Sequence, residues 1–134
     1  MQLDAALLLL RIASSLAFLY HGSGILFGAF DGPGPEQFAA HLHMPVVVGY
    51  LVGLAQLGGG LALLVGVFTR IGALCIMIVM LGAMFMVHLA HGFNVNNGGV
   101  EYALTQFLIA AALLLTGPGA YSLASRLSPA LQKL

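Results

Sequence analysis

The chain has 134 residues, of which 60% are hydrophobic and 6% charged, with a mean hydropathy of +1.04 and no formal net charge. Soluble domains carry about 25% charged residues, so the composition excludes one and points to an integral membrane protein in a lipid bilayer. The neutral balance and the lack of any basic cluster exclude nucleic acid as a partner, and Cys75, the only cysteine, excludes an intrachain disulfide or a Cys-based metal or redox motif.

Four apolar runs approach the ~20 residues that a helix needs to cross a hydrocarbon core of ~30 Å. They predict an all-α fold: a four-transmembrane-helix bundle, one domain over 1–134, with helices at about 3–27, 46–68, 71–91 and 100–116. A short interfacial helix is expected between the first two, over Pro35 to His43. The first run lacks a basic leader and carries Arg11 inside its apolar segment, so it reads as a retained helix and not as a signal peptide.

In helix 1, Arg11, Ser14, Phe18, His21 and Ile25 recur at spacings of three and four, which places them on one face. A charge at mid-bilayer is costly, so Arg11 either faces the bundle or snorkels to the near interface. His21 lies about 15 Å further along, at ~1.5 Å per residue, near the opposite end. His41 and His43 fall in the interfacial segment and read as solvated.

In helix 2, Gly49, Gly53, Gln56 and Gly60 share a face in the small-xxx-small pattern that lets membrane helices approach closely. Gln56 on that seam is expected to make an interhelical hydrogen bond, with a cofactor-binding role as the alternative. Helix 3 aligns Met77, Met80, Met84, His88 and His91, again at spacings of three and four. Thioether with imidazole is a copper-type ligand set. Methionine is also a common core filler, which is the plainer reading of the three Met residues.

The stretch from Met84 to Tyr102 concentrates polar chemistry: two histidines, three asparagines, a Gly-Gly pair and Glu101 between apolar runs. Glu101 either sits as a simple acid at a helix N-terminus or orients His88 or His91. Four spans place both termini, Arg11, Arg70, Arg126 and Lys133 on one side, which the positive-inside rule makes cytoplasmic. All five histidines, Asp31, Glu36 and Glu101 then gather at the outer face and predict a polar pocket there.

The segments LLLLRIASSLAFLYHGSGILFG, FAAHLHMP, YLVGLAQLGGGLALLVGVFTRIGAL, VMLGAMFMVHLAHGFNVNNGGVEYAL and LLLTGPGAYSL, in this order, resemble the DoxX family of small four-helix membrane proteins. The resemblance implies a bacterial cytoplasmic (inner) membrane protein, some of whose relatives are subunits of thiosulfate:quinone oxidoreductase or partners of redox enzymes. It also implies that Arg11, His21, Gly22, His88, Asn97, Gly98, Gly99, Glu101 and Tyr102 form the family's polar signature here. The chain departs from the pattern at Ile25, where relatives commonly carry lysine, at Gln56, where they commonly carry glutamate, and at Ala124, where an acid commonly closes the pattern. Losing a cation and an anion together is coherent, because one charge left alone in lipid is unpaired.

Three functions follow as expectations. The first is a quinone-linked redox protein or accessory subunit, with His21, His88 and Glu101 as catalytic candidates and Arg11, Gln56, His91, Asn97 and Tyr102 binding the cofactor. The second is a non-catalytic membrane partner of a redox enzyme, or a homo-oligomer, assembled through glycine-rich faces including Gly24 and Gly28. The third is a metal or haem site built on His21, His88, His91 and Met84.

Overall fold

Helix α1, Gln2–Phe27, runs uninterrupted until Gly28 adopts the left-handed conformation that closes it. The computed structural model describes residues 1–134, all helix, turn and loop, without a β-strand. A 3₁₀ turn at Ala29–Asp31 leads into α2, Gly34–His41, which starts with Pro35 in its first turn. Proline is tolerated there because that backbone N–H has no helical partner anyway. Helix α3 spans Val46–Val65 and α4 spans Thr69–Ala83; α4 then loosens into a π-helical turn, Met84–His88, and a 3₁₀ turn, Leu89–His91. Helix α5, Glu101–Thr116, returns along α4, and two short helices absent from the sequence expectation, α6 (Leu123–Leu127) and α7 (Pro129–Gln132), finish the chain.

Three helical segments, Gln2–Phe27, Val46–Val65 and Thr69–His91, are long and apolar enough to cross a membrane. Helix α5 has 16 residues, about 24 Å at ~1.5 Å per residue, and falls short of the hydrocarbon thickness by itself. Only 31 of the 134 residues are buried, while Leu9, Leu16, Leu51, Leu54, Ile78, Leu108 and Leu115 are exposed on the outside of the helices. So much contiguous apolar surface is incompatible with water; its solvent is lipid.

Packing is closest between α1 and α3. A Cβ on Gly22 would sit 2.5 Å from the backbone N and 2.9 Å from the Cα of Leu57. Gly53 and Gly60 receive side chains of α1, Gly49 abuts the Pro35 backbone at the start of α2, and Gly59 meets Gly72 across the α3–α4 seam. The small-residue face of α3 is therefore consumed within the chain and is not free to join copies of it. Gly28, expected to pair with Gly24 in a helix seam, instead ends α1, and Gly24 packs on Gly32.

These contacts predict opposite outcomes for two glycines of similar helical setting. Gly22→Ala drives a methyl into backbone that no side-chain movement can relieve, and is expected to cost about 1–3 kcal/mol as overpacking does. Gly58 has nothing within 4 Å of its virtual Cβ, so Gly58→Ala is expected to leave thermal unfolding in detergent unchanged or slightly raised. The comparison of the two unfolding midpoints checks the α1–α3 interface.

The core joins Leu7, Phe18, Leu63, Ile76, Met80 and Leu113. Met77 and Met84 pack against it, so the methionine stripe serves the core. At the end holding both termini, Arg11 is 1% exposed and donates to the Leu63 and Leu64 carbonyls at the C-terminus of α3 (2.7 and 2.9 Å) and to those of Pro118 and Tyr121 (3.0 and 2.8 Å). The last carbonyls of a helix lack intrahelical donors; Arg11 supplies them and ties α1 to α3 and to the turn after α5. It neither snorkels nor reaches toward His21. The tail folds under the same end, with Ile71 donating to Leu134 O and Ala124 to Gly66 O.

Candidate functional site

At the opposite end the helices diverge around a cavity of about 580 Å³. Helix α1 contributes Phe18, His21 and Ile25, α2 contributes Phe38 with Leu42 just past its end, and α3 contributes Gln56. The far wall is the distorted end of α4, including Met86 and His88, closed by Gly98, Gly99 and Tyr102. Ile78 and Met86 line the cavity and are also 62% and 53% exposed, so its mouth opens on the outer surface of the helices. Most of the lining is apolar, with His21, Gln56, His88 and Tyr102 as the side chains capable of hydrogen bonding. A volume of 300–1,000 Å³, apolar walls and a few converging polar groups describe a typical small-molecule site.

The loop that closes the cavity is fixed by its own sequence. Asn94 accepts a hydrogen bond from the Asn96 N–H (2.9 Å) in a local side-chain turn. Val100 donates to Gly92 O and Glu101 to Phe93 O, both at 2.9 Å. This brings Gly99 against the backbone of Gly92 and Phe93, where any Cβ would collide. His88 donates through Nδ1 to Gly98 O at 2.6 Å, and the Glu101 carboxylate accepts from the Val95 N–H at 2.9 Å.

Those last two bonds correct an expectation. Glu101 does not orient His88 or His91; each of His88 and Glu101 holds the 95–98 turn, and no histidine–carboxylate pair lies within 4 Å anywhere in the chain. Glu101 is outside the cavity lining, as are Asn97, exposed in the turn, and His91, exposed and bonded to Val87 O at 3.0 Å. The π-helical turn explains the last case. It shifts the register of both histidines relative to the methionines of α4, and the two imidazoles take different partners, His88 the Gly98 carbonyl and His91 the Val87 carbonyl. Arg11 belongs to the other end of the bundle. His21, Gln56, His88 and Tyr102 are thus the sequence candidates that the fold gathers, with the rings of His21 and Tyr102 5.9 Å apart.

Gln56 behaves differently from its expected structural role. It is 6% exposed, and its Oε1 has no hydrogen-bond partner; nor does the buried hydroxyl of Tyr102. The buried interhelical hydrogen bond forms elsewhere, from Ser14 Oγ on α1 to Gln106 Oε1 on α5 at 2.9 Å. A buried unsatisfied polar group costs about 1–3 kcal/mol, and both of these atoms belong to residues that line one cavity. Ile25, the other departure from the charged pattern, lines the same cavity. No three His, Cys, Asp or Glu side chains converge into a ligand set. Phe38 and Leu42, four residues apart in the interfacial segment, cover the cavity with a shared apolar face.

A family model described as DoxX matches residues 6–89. The chain is 34% identical over 123 residues to the protein named "Inner membrane protein YqjF" of Escherichia coli (strain K12), covering 90% of each chain. It is 30% identical over 111 residues to the protein named "Putative oxidoreductase CatD" of Bacillus subtilis (strain 168), covering 82% of this chain and 78% of the relative. No solved structure matches.

Proposed function

The chain belongs to the DoxX family of membrane proteins, and from that premise we propose that it is a quinone-linked redox protein, or an accessory subunit of a redox system, in the bacterial inner membrane. The observation that carries this reading is the cavity: apolar, open at the lipid-facing surface, and lined by the polar residues His21, Gln56, His88 and Tyr102. A flat lipophilic ring with polar substituents matches such walls. The oxidoreductase name of one relative and the inner-membrane name of the other point the same way.

In this reading α5, with the turns at its two ends, completes a fourth span, and α2 lies at the interface above the cavity. The basic residues cluster at the end that carries both termini, which by the positive-inside rule supports cytoplasmic termini and a cavity near the outer leaflet. Histidine is suited to proton exchange near neutral pH, so His21 and His88 are the groups through which a bound quinone would gain or lose protons. A partner would supply or take the electrons.

The purified protein, extracted in a mild detergent, is expected to carry quinone in near-stoichiometric amount and to unfold at a higher temperature when quinone is added. Lipid extracts free of quinone, together with an unfolding temperature indifferent to added quinone, would remove this function.

A further inference from the structure

Beside the main cavity, at the same end of the bundle, a second pocket of about 360 Å³ lies against the turn that joins α1 to α2. Tyr20 and His21 of α1, Phe30 and Asp31 of the turn, and Phe38 of α2 line it. Phe30 is 68% exposed and Asp31 is exposed as well. A carboxylate without a partner belongs in water, so this pocket is the aqueous neighbour of the lipid-facing cavity.

Three residues border both spaces: His21, Ile25 and Phe38. Two of them are hydrocarbon and hold no exchangeable proton, which leaves the imidazole as the polar member of the partition. Its ring centroid lies 5.3 Å from that of Tyr20, which lines the second pocket, and 5.9 Å from that of Tyr102, which lines the cavity. The ring, and not only the stem of the side chain, is thus in reach of both linings.

The two histidines of the cavity differ in what they can do with a proton. A carbonyl oxygen can only accept, so the 2.6 Å contact between His88 Nδ1 and Gly98 O keeps a proton on Nδ1. Passing that proton on would break the bond that holds the turn. The histidine hydrogen bonds within the chain are those of His88 and His91, so both ring nitrogens of His21 are free. In a neutral imidazole one nitrogen donates and the other accepts; His21 is therefore able to take a proton on one nitrogen and release one from the other.

We infer that His21 is the proton passage between the ligand cavity and the aqueous pocket at Asp31, serving a ring ligand with an acidic O–H, a hydroquinone or phenol. This rests on the cavity's being a quinone-type site and adds the route by which its ligand exchanges protons. In the step, the ligand O–H bond breaks as one nitrogen of His21 takes the proton. The N–H on the opposite nitrogen then breaks, and its proton goes to the Asp31 carboxylate or to water. The ligand is left as its anion, and no electron moves. Tyr20 and Asp31 on the aqueous side, and His88 and Tyr102 on the cavity side, are the other titratable groups of the two linings.

The test uses the full chain in detergent with 2-decyl-4-nitrophenol, a lipophilic phenol whose anion absorbs visible light, and with enough protein that the probe is bound in every variant. Ionisation of the bound probe is followed after a rapid jump in pH. His21→Gln is expected to slow it by about a hundredfold, the lower end of what a positioned acid–base group contributes, without lowering the unfolding temperature. Asp31→Asn is expected to slow it less, because water still reaches that pocket. Imidazole added to His21→Ala is expected to restore the rate, which a merely structural role for the side chain would not allow. An unchanged rate in His21→Gln, or slow rates in both His21 variants that imidazole does not raise, overturns the passage while leaving the quinone site standing. Failure of the cavity to bind either this phenol or 2-decyl-1,4-benzoquinone overturns both.

Discussion

Replacing Arg11 by methionine is expected to unfold the end of the bundle that carries the termini, because each buried carbonyl left without its donor costs about 1–3 kcal/mol. The side chain donates four hydrogen bonds, all to backbone carbonyls and all between 2.7 and 3.0 Å. Two of those carbonyls end α3 and two lie in the turn after α5, so the loss of one side chain strands acceptors on separate elements. Arg11→Lys keeps the charge but lacks the planar fork that reaches several carbonyls at once, and is expected to recover less than half of the loss. Thermal unfolding in detergent reads the stability. Ligand binding at the distant cavity, measured at a temperature where Arg11→Lys stays folded, is expected to be unaffected. A loss of binding without a loss of stability would return Arg11 to the cofactor site.

That division of labour was only partly legible in the sequence. The periodicity of α1 does place Arg11, Ser14, Phe18 and Ile25 on one buried face, because a long apolar helix without Pro keeps its register. Helical spacing says which residues share a face but not which end of the face is a clamp and which is a pocket. The carbonyls that Arg11 meets are 52 to 110 positions away in the chain. The same limit governs Gln56. Its burial on a glycine seam follows from spacing, but whether a donor stands opposite depends on α1 and α4, and Ser14 is committed to Gln106 instead. The polar stretch from Met84 to Tyr102 marked the right end of the molecule, and chain proximity suggested a His88–Glu101 contact. The π-helical turn and the Asn94 turn re-aimed both side chains, and neither departure from regular helix has a pattern in apolar spacing from which to read it.

The two departures from the charged family pattern become a single experiment once both line one cavity. Ile25 packs within 3.1 Å of where a Gly53 Cβ would lie, and Gly53 is one turn before Gln56 on the same face of α3. A lysine side chain introduced at position 25 therefore reaches the end of a side chain at position 56. Gln56→Glu alone puts a carboxylate in a largely apolar cavity with no Lys or Arg facing it, because Arg11 is engaged at the other end and the basic side chains of the lining are the imidazoles of His21 and His88. It is expected to lower stability by about 2.5–3.5 kcal/mol at neutral pH, the cost of one uncompensated charge at membrane depth. Ile25→Lys alone is expected to cost a similar amount. The double variant is expected to be far more stable than the sum of the two predicts, with a coupling of about 2–3 kcal/mol, read from unfolding of the four proteins of the cycle in one detergent. Additive losses would place the two side chains on separate walls and break the link between the paired substitutions. A strong coupling has a consequence for binding as well: the ion pair would occupy the polar edge of the cavity and reduce the space left there for a ligand.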